Sequence, residues 1–309
     1  MSTPILHHYP PSLFSEKIRT LFGYLGMEWQ SVIIPAIMPR PHLMPLSGGY
    51  RKTPILQIGA NVYCDTQIIC RKLAALSGNS ALYTPGFNAE RVARWADTEL
   101  FRTTVMLNFR PQALAAQMSQ MSEEEMAAFQ KDRAELSGGA PIVAGDPAAA
   151  EAHFQALMAQ LEASLQSDFL FGTEPCIADF SVYHCLWFVA GNTANAPLLE
   201  PWRQVRSYLE RMQRFGHGTF SEIPAEEALA IGARAAPELP VDAAVDARLA
   251  GDIQVDRDVT VQPNDYGRNP VAGSLVSWNG NEVVIARQDD QAGDVMVHFP
   301  NIGFEVTAA

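Results

Sequence analysis

The chain has 309 residues, 48% of them hydrophobic and 18% charged, with 34 acids against 22 Lys and Arg for a net charge of -12. That is the composition of a folded chain long enough for two domains and a small third one, and its acidic balance argues against nucleic acid, since phosphate binding wants a basic surface. No segment reaches the roughly 18 uninterrupted apolar residues of a membrane span, and the start "MSTPILHHYPPS" lacks the basic opening and long apolar core of a signal peptide, so no membrane partner and a cytoplasmic location are expected.

The first 76 residues alternate strand and helix signals. Pro4 to Tyr9 is a short apolar run, after which Ile18, Leu21, Phe22 and Leu25 repeat at i, i+3, i+4 and i+7, one face of a helix that Gly26 closes. Glu28 to Pro35 reads as a second strand, followed by a loop carrying Pro39, Pro41 and Pro45. Pro54 to Ile58, a turn at Gly59-Ala60-Asn61 and "VYC" read as a hairpin, and the helix "TQIICRKLAAL" stops at Gly78. The order is βαβ, then ββα.

From about Asn88 to Arg234 the apolar residues keep helical spacing, with polar or Gly/Pro breaks between segments. Ala235 to Gly251, rich in Ala, Pro and Asp, reads as a linker. Short β-rich runs then follow, with Asn279-Gly280 as a type I′ hairpin signal. The expected organisation is an α/β domain over 1–80, an all-α domain over 86–234, a linker over 235–251 and a small antiparallel β module over 252–309.

Four cysteines, Cys64, Cys70, Cys176 and Cys185, form no CxxC and no cluster with metal-ligand spacing, so reduced, buried thiols and no metal are expected. The charge is uneven: the first 76 residues hold seven Lys and Arg against three acids, which suits a small anionic ligand, although a chance fluctuation of that size is about as common. In "SLFSEKIRTLFGYLG", Ser12 stands where a hydroxyl could either cap a helix or meet an anion at its N-terminus, with Ser15 as the competing cap.

"SLFSEKIR", "RKTPIL", "CDTQII" and "FLFGTEPCIADFSVY", in this order and spacing, resemble the glutathione transferase superfamily over about residues 4 to 220; the β tail lies outside the common pattern. The resemblance implies a thioredoxin-like first domain, an all-helical second domain, glutathione as co-substrate, a small electrophile, and a homodimer. It places Ser12, seven residues before Arg19, at the glutathione sulfur. It makes Pro54 a cis-proline that turns the Thr53 backbone toward the cysteinyl part of glutathione. It gives Asp65 and Thr66 to the γ-glutamyl end, with a plain helix cap as the competing reading, and Arg51 and Lys52 to the glycyl carboxylate, with solvated loop charge as the competing reading. Cys176 stands where the family has the Ser or Thr of a capping motif completed by Asp179, so a weaker helix start, or capping by Thr173, is expected. The implied activity is attack of glutathione thiolate on an electrophile. A non-catalytic binding or regulatory scaffold and a glutathione-dependent isomerase are the alternatives.

Overall fold

The computed structural model describes residues 2–118, 122–138, 145–241 and 243–309. Positions 119–121 and 139–144 of the expected helical domain, and position 242 of the expected linker, lie outside the described residues.

The first domain runs β1 (Ile5–His8), α1 (Leu13–Leu25), β2 (Glu28–Ile33), a short α2 (Met44–Ser47) inside the proline-rich loop, β3 (Ile55–Ile58), β4 (Asn61–Cys64) and α3 (Thr66–Ser77). Strand β1 pairs parallel with β2 and antiparallel with β3, and β3 pairs antiparallel with β4, which is the thioredoxin-like arrangement. Helix α1 starts where the Ser12 hydroxyl accepts from the Ser15 N–H, and ends at Gly26, whose φ of 61° turns its N–H back onto the last carbonyls. Its apolar face, Ile18, Leu21 and Phe22, is fully buried, and so are Glu16, Lys17 and Arg19 on its other side. A helix enclosed all round must satisfy its charges internally.

What encloses it is the helical domain: α4 (Phe87–Trp95), a π-helical stretch Ala96–Leu100, α5 (Phe101–Leu107), α6 (Pro111–Met118), α7 (Glu123–Leu136), α8 (Pro147–Ser164), α9 (Ile177–Ala190) and α10 (Arg203–Gln213). Helix α9 is buried on nearly every side and starts at Cys176 itself, with no cap from Thr173. The Asp179 carboxylate accepts from the N–H of Cys176 at 2.8 Å and of Leu170 at 2.9 Å. A thiol is a weak acceptor, so Cys176→Ser is expected to stabilise the protein by about 1 kcal/mol in urea unfolding, and a loss would show that the buried site rejects a hydroxyl.

The helical reading does not hold to Arg234. Strand β5 (Thr219–Glu222) returns to pair parallel with β2, and α11 (Ala225–Arg234) packs on the sheet, against the tail strand over Gly293–Pro300 and against β2. A four-residue exposed strand, "TFSE", carries no alternation to announce it.

After a short α12 (Ala247–Ala250) come β6 (Asp258–Pro263), β7 (Val271–Trp278), β8 (Glu282–Asp289), β9 (Gly293–Pro300) and β10 (Phe304–Ala308). They are antiparallel to one another, as expected. However, β9 also pairs parallel with β4, through Asn61 and Met296, Val62 and Val297, and Tyr63 and His298, so tail and first domain share one ten-stranded sheet in the order β10-β6-β7-β8-β9-β4-β3-β1-β2-β5. The hairpin at Asn279 forms without a type I′ turn: Gly280 has no positive φ, and the Asn279 side chain accepts from the N–H groups of Asn281 and Glu282. An Asx-type connection of three residues replaces the two-residue turn.

Two cores result. One lies between α1, α3 and the helical domain; the other, on the opposite face of the sheet, joins Ile5, Val32, Ile55 and Val62 to Val271, Ile285, Val297 and Phe299 of the tail.

Candidate functional site

A cleft of about 1010 Å³ opens where the first domain, the helical domain and the tail meet. Ser12, Arg51, Lys52, Thr53, Pro54, Asp65 and Thr66, all anticipated from the sequence, line it together, as does Tyr9. The chain reaches this point from three directions: the β1–α1 turn brings Ser12, the approach to β3 brings Thr53 and Pro54 through a cis peptide bond, and the β4–α3 junction brings Asp65 and Thr66.

The cap reading and the anion reading of Ser12 meet in one group. Its Oγ accepts from the Ser15 N–H at 3.2 Å, which uses a lone pair, and its proton has no acceptor among the described residues. A hydroxyl can accept one bond and donate another, so Ser12 can cap α1 and still donate into the cleft. Ser15 is not the cap; its hydroxyl is buried without a partner.

Asp65 holds the other side. At φ 93° and ψ 138° it caps α3 by accepting from the Gln67 N–H at 2.8 Å. Burial pushes its carboxyl up from the ordinary value, opposed by that N–H and by the charge of Lys52. Thr66, in the first turn of α3, accepts at 3.4 Å from Lys17, whose ammonium is also 2.7 Å from Asp97 in the π-helical stretch. Burial works against both charges, yet each prevails: the Asp97 carboxylate raises Lys17, while Lys17 and the bond from His184 hold Asp97 at about 2. A neighbouring cluster of four side chains joins α1 to the helical domain as well. Glu16 accepts from Arg19 at 2.8 Å, Tyr183 of α9 at 2.9 Å and His217 at 3.0 Å, and it titrates below its usual value despite burial.

Arg51 and Lys52 reach the cleft already engaged. Arg51 sits 2.7 Å from Asp132 of α7, and Lys52 pairs with Asp265 in the β6–β7 loop while lying 4.1 Å from the centre of the Tyr266 ring. A ligand carboxylate there must share or replace those partners.

Several contributors were not anticipated. Arg40 braces the loop by donating to the Arg51 carbonyl at 2.9 Å and to the Thr53 hydroxyl at 3.0 Å. Nothing in its proline-rich surroundings marks it. Tyr50 lines the cleft with its hydroxyl unpartnered, and Asp265, Tyr266, Gly303 and Phe304 show that the tail forms a wall of the cleft. Cys64 and Cys70 are poor nucleophiles, since burial pushes Cys64 well above the ordinary thiol value and Cys70 to about 12. Among the described residues no group of His, Cys, Asp and Glu could hold a metal ion, and no helix is long and apolar enough to cross a membrane.

The family description "Glutathione S-transferase, N-terminal domain" matches residues 6–81, and "Glutathione S-transferase, C-terminal domain" matches residues 122–211. Among solved structures, a GST-like protein from Pseudomonas syringae is 37% identical, with 100% of each chain covered and a TM-score of 0.81. A glutathione S-transferase from Rhodospirillum rubrum F11 is 15% identical over 68% of this chain and 88% of that one, with a TM-score of 0.50, a likeness of fold alone. No curated protein matches. Both halves of the fold are matched and a 37%-identical relative aligns from end to end, so this chain belongs to the glutathione transferase superfamily.

Proposed function

We propose that the chain is a glutathione transferase that binds glutathione in this cleft as the thiolate and directs it at a small electrophile. The observation that carries the reading is the Ser12 hydroxyl, its acceptor side occupied and its proton unassigned, in a cleft shared with Asp65 and Thr66. A thiol of pKa about 8.5 gains from a hydroxyl donor and from the positive end of α1, each worth about 1 kcal/mol. One pKa unit is about 1.4 kcal/mol, so two or three such contacts ionise the thiol near neutral pH. Ser12 stabilises the anion and is not the nucleophile.

On this reading the backbone of Thr53 pairs with the tripeptide main chain, Thr66 and the first N–H groups of α3 take the γ-glutamyl carboxylate, and Asp65 takes the α-amino group. Arg51 and Lys52 take the glycyl carboxylate by sharing with Asp132 and Asp265. The sulfur lone pair forms the new bond to the electrophilic carbon, the leaving group departs with its electron pair, and the thiol proton goes to water. The usual cytoplasmic, homodimeric state of the family is part of the same reading.

Calorimetric titration with glutathione, followed by conjugation to a chlorinated nitrobenzene, tests it. Ser12→Ala is expected to lower the rate about tenfold at pH 6.5 and to raise the apparent pKa of the rate profile by about one unit, with glutathione affinity little changed. No heat at millimolar glutathione removes the mechanism. Binding without turnover in either protein assigns a scaffold.

A further inference from the structure

On the helical-domain side the cleft is lined by the apolar side chains of Val105, Phe109, Leu114 and Phe129. Its rim is not. Arg94 at the end of α4 and Arg102 at the start of α5 both line the cleft, flanking the π-helical stretch.

These two differ from the other cations of the cleft. Lys17 is bound to Asp97, Arg40 to backbone carbonyls, Arg51 and Arg133 to Asp132, Lys52 to Asp265 and Arg71 to Glu90. Arg94 and Arg102 have neither a carboxylate, nor a hydrogen-bond acceptor, nor an aromatic ring as a partner among the described residues, whereas Arg91, also without a carboxylate, has the ring of Phe87. In a molecule with a net charge of -12, the exposed guanidinium groups of Arg94 and Arg102 add positive charge to this cleft that no carboxylate among the described residues pairs with.

Arg94 also lies beside the tail. A methyl group built on Gly303, at φ 97° in the β9–β10 turn, would stand 3.1 Å from an Arg94 guanidinium nitrogen. The tail backbone at Gly303 therefore stands close to this side chain, and a side chain at 303 would press on it. Glutathione, as read above, has its two carboxylates met elsewhere, at α3 and at Arg51 with Lys52, so the charge of Arg94 and Arg102 is left for the second substrate.

We propose that the electrophile of this chain is an organic anion, with an apolar body against Val105, Phe109 and Phe129 and a carboxylate or sulfonate held by Arg94 and Arg102. The inference deepens the transferase reading and rests on it. A planar guanidinium suits an oxyanion, and an exposed one is worth a few-fold in affinity.

The test uses the full-length protein and two fluorescent probes of nearly the same shape: anilinonaphthalene sulfonate, which is an anion, and N-phenylnaphthylamine, which is neutral. The wild type is expected to bind the sulfonate at least tenfold more tightly, with the preference shrinking as salt rises. The doubly substituted R94Q/R102Q protein is expected to bind the two probes within about twofold of each other and to keep its affinity for glutathione. Equal binding of the two probes by the wild type overturns the proposal without any variant. So does a double variant that keeps the preference, or one that loses glutathione in place of the sulfonate. Failure of the wild type to bind glutathione at all defeats the transferase reading separately, since that titration contains no probe.

Discussion

Deleting residues 252–309 is expected to leave a chain that neither folds cooperatively nor stays soluble. The tail is half of the second core: Val259, Val261, Val271, Leu275, Val283, Ile285, Val297 and Phe299 are all fully buried there. Each such side chain contributes about 1.5–3 kcal/mol by its burial, so the eight together are worth about 12–24 kcal/mol, as much as or more than the 5–15 kcal/mol by which ordinary domains are stable. The deletion would also uncover Ile55, Val62 and Cys64 and turn β4 from a central strand into an open edge, an invitation to pair with another chain. Gel filtration and thermal melts of residues 1–251 beside the full chain make the comparison. A monodisperse truncated protein with a cooperative melt within a few degrees of the parent would show that the tail is an ornament on the sheet.

The same feature marks the limit of what the sequence shows. Local signals were legible: the i, i+3, i+4, i+7 spacing of Ile18 to Leu25 with Gly26 behind it, the β3–β4 hairpin, and the short β-rich runs of the tail all reappear in the structure. Seven residues of the first domain, Ser12 to Thr66, were brought to one cleft by a fold that their motifs had already suggested. Long-range pairing was not legible. Nothing in "GDVMVHFP" says that β9 will dock parallel to β4, some 235 positions earlier by the Asn61–Met296 register, because hydrophobic period reports which face is buried and not what covers it. Partners across domains were hidden for the same reason. Lys17 and Glu16 look like the solvated side of an amphipathic helix, and only the helical domain above them turns that side into an interior.

That interior yields the second large effect. Asp97→Ala is expected to destabilise the protein by about 3–5 kcal/mol, because it strands the Lys17 ammonium, whose side chain is 1% exposed, with only the 3.4 Å contact to Thr66. Replacing both members by apolar residues, Lys17→Met with Asp97→Leu, is expected to recover most of that loss, since a well-packed apolar pair avoids the desolvation of two charges. The pH dependence has a definite sign. Asp97 has a pKa of about 2 in the folded protein against an ordinary 3.8, so it contributes stability that is complete above pH 3.8 and disappears as pH falls toward 2. The contribution is about 2 kcal/mol by linkage. Urea unfolding at pH 7 and at steps down to pH 3 would read both effects, with the wild type losing stability in that interval and the double apolar variant losing less. An Asp97→Ala protein within 1 kcal/mol of the parent at pH 7 would mean that the Lys17 ammonium finds water or sheds its proton cheaply, and that the pair does not hold the two domains about the cleft.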